Sequence, residues 1–595
     1  MAHFYILPIT VVICITVFYG FIPDVRTCLT EDKDVSRRRF GGRDFLVLFL
    51  LCAIYGTVAF FNSGNTESPQ SFKKFSGSGD TATIELERSS NLDRIFRFSG
   101  ICTGNYSIYF SHDGENYYYA DKLEQEYSKL LFWQDKELNS GADPTHIKYL
   151  RIEADSHLWL GEIAVFDWDG NMIPISSEDA PELCDEQDLV PEESTFLNST
   201  YFDEIYHART ALEGLSGENI YEISHPPLGK IIISIGMLLF GVTPFGWRFS
   251  GILFGILMLP PLYAICKKMF GGIAVPVCTT AVFAFDFMHF VQTRIATIDT
   301  YGVFFIILMY LFMYLYISES RDGEEKLRYL FLSGLCFGIG AACKWTCLYA
   351  GAGLAVIWAI FRVSRRKDGF RAFAVNCLWC VLFFVIIPAL IYYLSYFPYG
   401  LARGMKFPGM YFSREYFNIV TDNQKYMFNY HSGLVAEHPY SSVWYQWIFD
   451  IRPILYYLEY YDDGTRSVFG AFTNPALTWL GVITMIMTLV ISIIHRDNKG
   501  IFIIIGYLAQ LLPWVFITRL TFAYHYFPSM VFLCLSVGYI FNAMRLSVKN
   551  WRIPVYGYTA LCIAVFILFY PVLSGARTDG SRISYFLGWL ETWPF

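Results

Sequence analysis

Between residues 201 and 248, ionisable side chains of both signs crowd together. Asp203 and Glu204 are adjacent, His207 and Arg209 follow, His225 and Lys230 bracket the run HPPLGK, and Arg248 closes the stretch. An apolar run begins among them, at Leu228. A carboxylate at a membrane surface can take a proton from an incoming hydroxyl as general base. Cationic side chains and helix N-termini can hold a phosphate. These groups fit transfer from a phosphorylated lipid. Adjacent carboxylates point in different directions on regular structure, so Asp203 and Glu204 do not flank one bond, and one of the two faces the site. Two prolines stiffen the approach to Lys230, which is expected one turn into the following helix. Arg248, at the outer end of the next span, is placed either to join Lys230 on a phosphate or to snorkel to the interface.

Further polar groups are expected at the same membrane face. Arg294 and Asp299 lie in QTRIATIDTYG, Lys344 in ACKWT, His438 in EHPYSSVWYQW, and Arg519 and His525 in RLTFAYHYFPS. Ionisable residues at membrane depth are rare and usually border a functional cavity. The Trp and Tyr residues around them read as an interfacial belt.

The elements that must position these residues are membrane helices. Of the 595 residues, 54% are hydrophobic and only 16% charged, against about 25% charged in soluble domains. Repeated apolar windows of about 20 residues are long enough to cross a bilayer. The chain reads as a polytopic α-helical membrane protein of about 11–12 spans, with no nucleic-acid-binding character. A first span at 4–22 precedes a loop rich in arginine (Arg37, Arg38, Arg39, Arg43), which the positive-inside rule makes cytoplasmic. The next span, 45–61, carries the chain outward, so residues 62 to about 230 are extracytoplasmic, Asp203 among them. Spans are expected at 246–266, 273–290, 301–317, 329–343, 346–361, 372–397, 476–494, 501–517, 522–541 and 555–573. Their basic loops (Lys267 and Lys268; Arg321, Lys326 and Arg328; Arg362, Arg365, Arg366, Lys367 and Arg371; Arg545, Lys549 and Arg552) keep to one side. The run 228–240 is too short to span and reads as an interfacial helix.

Domain boundaries follow: residues 1–62 hold the extra span, basic loop and first core span; 63–178 a β domain; 179–200 an acidic linker; 201–573 the membrane core, with an outer loop at 398–474; and 574–595 an outer tail. Within the β domain, residues 81–173 alternate with strand period in seven or eight short runs separated by turn signals, as in a β-sandwich or jelly roll. The linker SEDAPELCDEQDLVPEE reads as solvated rather than as a calcium loop. Most of the 14 cysteines fall in apolar spans and act as small hydrophobes. Cys102 and Cys184, in the outer segment, are the two that could pair.

Two resemblances add to this. YSIYFSHDGENYYY, KYLRIEA and GEIAVFDWDGN resemble the strands and turn of discoidin-like galactose-binding modules, which often bind carbohydrate. FDEIYHARTALEG, HPPLGK, FGVTPFGWR, ATIDTYGVFF, GIGAACKWT, HPYSSVWYQW and TFAYHYFPS, in that order, resemble the motifs of protein O-mannosyltransferases of the bacterial type. That resemblance implies a GT-C membrane architecture and inverting transfer of a sugar, typically mannose, from a polyprenyl monophosphate to a Ser or Thr hydroxyl. It implies Asp203 as base, helped by Glu204. It implies Lys230, Arg248 and either Arg294 or Arg519 on the lipid phosphate. No metal, nucleotide sugar or other cofactor is implied, and the family often dimerises. The likeness points to a bacterial plasma membrane with the active site outside.

The chain departs from the family in its extra first span, its inserted sandwich and its short outer loop. The insert leaves a glycan, wall polymer or lipid open as acceptor, as in the aminoarabinose transferases. A transporter of lipid-linked sugar would show internal repeats and midplane charges. Neither is evident here, and the motif series speaks against a non-catalytic surface receptor.

Overall fold

Apolar runs set the first level of the architecture. The computed structural model describes residues 39–138, 143–320, 324–365 and 369–595. The expected span at 4–22 and residues Arg37, Arg38, Arg321, Arg366 and Lys367 lie outside the described residues. Among the described residues, nine helices are long and apolar enough to cross a membrane: α1 (Gly42–Phe60), Pro244–Phe270, Asp299–Glu319, Thr346–Ser364, Gly369–Leu401, Pro475–His495, Asn498–Val515, Ala523–Ser547 and Arg552–Ser574.

Two expected spans depart from a straight crossing. Ala274–Ala284 and Phe287–Thr293 are bent by 57°. The break falls at Asp286, which is fully buried and extended; its carboxylate accepts from the His289 amide at 3.2 Å and the Asn474 amide at 2.9 Å. An Asp that caps a new helix start cannot also continue the old helix. Leu327–Cys343 is apolar but only 17 residues long, about 25 Å at 1.5 Å per residue.

The chain divides into two compact units. One comprises residues up to 61, 223–229 and 251–595; the other comprises 62–222 and 230–250. The expected boundary near 200 therefore shifts, because residues 201–222 cluster with the β domain. In the first unit the outer loop is structured. It holds a helix, Arg414–Gly433, and a hairpin, Ile454–Tyr460 with Thr465–Ala471, to which Thr578–Asp579 adds a third strand. The tail is anchored, with the Trp593 indole donating to the Asp450 carbonyl at 2.8 Å.

In the second unit ten strands run from β1 to β10: Lys73–Phe75, Thr81–Ser90, Leu92–Ser99, Gly104–Ser111, Tyr118–Gln125, Phe132–Glu137, Ile147–Ala154, Leu158–Asp167, Met172–Ile173 and Ile175–Ser176. They form two five-stranded antiparallel sheets, β1-β8-β3-β6 with β9 on β8, and β10-β2-β7-β4-β5. Alternate residues of both sheets share one core, from Ile84, Ile108 and Leu150 on one side to Ile95, Leu160 and Val165 on the other. Helix α2 (Glu204–Ser216) follows, with most of α3 (Leu228–Phe240) and the first half of α4 (Pro244–Leu257), whose remaining residues belong to the first unit.

The acidic segment after β10 is not a solvated linker. Ala180 and Leu183 are buried in the sandwich core, and the carboxylate of Glu186 accepts from the backbone amides of Gln70 and Ser71. Small and apolar residues spaced among the acids dock the run. Cys102 and Cys184 both pack against the core and are not joined in a disulfide.

Candidate active site

Phe202, at φ +48°, turns the chain through the left-handed region just before Asp203, a conformation rare for a bulky residue. Asp203 then stands at the N-cap of α2, yet its side chain does not cap the helix. It is half-buried, whereas Glu204 is fully buried at 0% exposure. The adjacent carboxylates therefore occupy opposite environments. His207, one turn on, shares the Asp203 face of the helix and is buried.

Glu204 is held by Arg248. Nε donates to Oε1 at 2.7 Å and Nη2 to Oε2 at 2.7 Å, a bidentate pair, and the Trp247 indole adds a third bond at 3.3 Å. The rest of the guanidinium serves the backbone. Nη1 donates to the Ser63 and Phe196 carbonyls at 3.0 and 2.6 Å, and Nη2 to the Ser199 carbonyl at 3.0 Å. All five guanidinium donors are thus used inside the protein. With Arg248 1% exposed, its partner is Glu204 rather than the expected lipid phosphate. The stretches it ties are themselves bonded, the Asn65 amide to the Leu197 carbonyl at 2.7 Å. These are the start and the end of the inserted sandwich.

Lys230 is likewise engaged. Its ammonium donates to the Glu222 carbonyl at 2.6 Å and pairs with the Glu222 carboxylate. Burial lowers its pKa, against the pull of Glu222. Arg209 pairs with Glu213 at 2.6 Å and lies 3.8 Å over the Tyr221 ring. Glu213, its pKa raised by burial, accepts from Thr210 and from the Tyr221 amide. Lys230 and Arg209 therefore fasten the loop after α2 to the helices on either side of it.

The other unit carries its own polar group. Asp299, first residue of its helix, pairs with Lys344 at 2.5 Å, and the Lys344 ammonium lies 5.5 Å from the Tyr524 ring centroid. His525 packs on Tyr524 and Trp514 with centroids 4.6 and 4.3 Å apart. His438 packs against Phe522 at 5.0 Å. His225 meets His431 at 5.2 Å, and His431 bonds the Ser224 carbonyl at 2.8 Å. Burial, then the positive fields of His225, Arg519 and Lys344, holds His431 down at about 4. Arg519 itself is half-buried and donates to the Leu520 carbonyl at 3.3 Å. His225, Lys344 and Arg519 thus put positive charge in the field of His431, with the Lys344 charge shared with Asp299. Arg294 has a different task, since Nε and Nη2 donate to the Ala59 and Phe61 carbonyls at 3.0 and 2.9 Å and so cap the end of α1.

Sequence reasoning missed His431, which sits in a helix with no motif of its own. It also missed two groups of possible metal ligands, each with ligand atoms within 4.8 Å of one another: Cys102, His157 and Glu218, and Glu162, Asp185 and Glu186. Glu162 is fully buried, and burial with the neighbouring carboxylates pushes it up to about 8.

Two family models match the chain. Residues 224–392 match "Dolichyl-phosphate-mannose-protein mannosyltransferase" and residues 420–593 match "C-terminal four TMM region of protein-O-mannosyltransferase", together more than half the chain. Among curated proteins, the polyprenol-phosphate-mannose–protein mannosyltransferase of Mycolicibacterium smegmatis is 24% identical over 67% of this chain and 88% of its own length. The protein of the same description from Corynebacterium glutamicum is 23% identical over 73% and 92%. Among solved structures, the S. cerevisiae protein O-mannosyltransferase Pmt1-Pmt2 complex bound to the sugar donor matches with a TM-score of 0.57 at 12% identity. It covers 67% of this chain and 89% of that one, a likeness of fold.

Proposed function

We propose, since this chain belongs to the protein O-mannosyltransferase family, that it transfers a mannosyl residue from a polyprenyl phosphate to a Ser or Thr hydroxyl of a protein. The observation that carries the assignment of roles is the division of labour between Asp203 and Glu204. Glu204 is committed to Arg248 in the interior, which fixes the first turn of α2 and leaves the half-buried Asp203 as the working carboxylate. Asp203 accepts the acceptor hydroxyl's proton as that oxygen bonds the anomeric carbon. The bond from that carbon to the phosphate oxygen breaks, and polyprenyl phosphate leaves with the electron pair. A single displacement inverts the anomeric configuration. The leaving phosphate gains negative charge, which cations stabilise; the half-buried Arg519, and Lys344 beside Asp299, are the residues proposed for that work.

Transfer takes place on the extracytoplasmic face of the plasma membrane and proceeds without a metal. The two five-stranded sheets support a discoidin-like reading of the insert, with a glycosylated surface as the ligand class. The test is transfer of labelled mannose from polyprenyl-phosphate-mannose to a Ser/Thr peptide by protein reconstituted in vesicles. Asp203→Asn is expected to lower turnover by about 10²–10⁴, the usual contribution of a positioned base. Label moving into lipid or polymer would replace the acceptor. Full activity in the Asn variant would remove Asp203 from the mechanism, and loss of activity in chelator with the denaturation midpoint unchanged would contradict the metal-free step.

A further inference from the structure

We infer that Cys102, His157 and Glu218 form a zinc site that fastens the sandwich to the C-terminal end of α2, independently of the transfer reaction. The three come from separate places. Cys102 lies in the turn between β3 and β4, at φ +69°, in the left-handed region that a non-glycine residue seldom adopts. His157 lies in the turn between β7 and β8. Glu218 follows Gly217, the left-handed cap of α2.

His157 is set in the form a metal requires. Its Nδ1 lies 2.8 Å from the Phe75 carbonyl, which can only accept, so Nδ1 bears the hydrogen. In the neutral ring Nε2 then carries a lone pair, and it faces the Glu218 Oε2 at 3.2 Å. Two acceptors at that distance need a cation between them or a proton on the ring. A ring hydrogen given to a backbone carbonyl is the usual support behind a metal-bound histidine.

Cys102 supplies the third donor and decides the metal. Sulfur, imidazole and carboxylate together suit zinc; calcium and magnesium take oxygen ligands. Zinc bonds of about 2.0–2.3 Å in a tetrahedron place ligand atoms about 3.3–3.8 Å apart. The His157–Glu218 pair, at 3.2 Å, is already there, and all three atoms lie within 4.8 Å. Closing the rest takes a shift of about 1 Å, within reach of a rotamer adjustment. Water fills the fourth position on the half-exposed side, and the thiol proton passes to solvent as the metal–sulfur bond forms. The helix end contributes as well, since the negative pole of α2 lies beside Glu218 and favours a cation.

The test uses the full chain in detergent, stripped with chelator and titrated with zinc against a chromophoric competitor. Cobalt serves as spectroscopic probe. The expected result is one added equivalent in the wild type, with a cobalt–thiolate charge-transfer band. Cys102→Ser should abolish the band, and His157→Ala and Glu218→Gln should each weaken zinc binding at least tenfold. Cys102→Ser and Glu218→Gln change few atoms, and thermal midpoints without metal establish that each folds. Unchanged zinc affinity in folded Cys102→Ser, a persistent cobalt–thiolate band in that variant, or Cys102 recovered in a disulfide would each overturn the site.

Discussion

Neighbouring carboxylates are expected to fail in opposite ways when each becomes its amide. In Glu204→Gln the carboxamide keeps one acceptor for Arg248 but turns an NH2 toward the guanidinium, replacing one of two 2.7 Å charge-assisted bonds with a clash of donors. Arg248, 1% exposed, then holds an uncompensated charge. Breaking one side of a buried pair costs about 3–5 kcal/mol, a large share of the roughly 5–15 kcal/mol that holds a domain folded. Asp203→Asn alters a half-buried group, and its expected effect on stability is smaller, about 1 kcal/mol. Denaturation midpoints in detergent read the first quantity, and initial transfer rates read the second. Glu204→Gln should melt early while retaining measurable turnover below its midpoint; Asp203→Asn should melt close to the wild type and turn over about 10²–10⁴-fold more slowly. The pair Glu204→Leu with Arg248→Met should cost at least about 3 kcal/mol less than the sum of the singles, because no charge is left alone. Additivity within about 0.5 kcal/mol, or an early-melting Asp203→Asn beside a stable Glu204→Gln, would refute the division of labour.

Three more outcomes are expected. Arg519→Ala should lower kcat/KM for the lipid donor by about ten- to a hundredfold, the worth of a bond to a charged phosphate, with the denaturation midpoint unchanged; unaltered donor kinetics would remove Arg519 from the phosphate. Lys344→Ala should lose donor affinity and also leave Asp299 unpaired, so the double variant with Asp299→Asn should melt higher than Lys344→Ala alone. Glu162 rises from 4.5 to about 8 on folding, so the folded state favours its protonated form. The stability this gives is complete below pH 4.5 and lost as pH climbs through 8. At about 1.4 kcal/mol per unit, several kcal/mol are at stake, and the denaturation midpoint should fall across that window in the wild type but not in Glu162→Gln.

The spans were legible because bilayer thickness imposes a length on apolar runs, and the sandwich because strand alternation imposes a period. The bend at Asp286 was not, since nothing local says that this Asp will accept from the amide of Asn474, 188 residues away. The chemistry of Asp203 and Glu204 was half legible. Their adjacency excluded a shared bond, but which one turns inward depends on Arg248, 44 residues on, and on the Ser63 carbonyl that Arg248 also holds. The same partners gave Arg248 a duty that its place at a span end did not reveal. Charge counting misread residues 179–200, because a run of acids conceals that Ala180 and Leu183 fall at core positions.

Because the Asn65 amide meets the Leu197 carbonyl and Arg248 grips both flanks, everything between them hangs from a closed neck. A loop with fixed ends is insensitive to its own length, each doubling costing about 0.6 kcal/mol. Within the neck the sandwich edge also holds the approach to Asp203, since the Trp133 amide donates to the Ser199 hydroxyl and the Leu130 and Leu131 carbonyls accept from Thr200, so a module exchanged on that neck must keep this edge for the turn presenting Asp203 to stay in register.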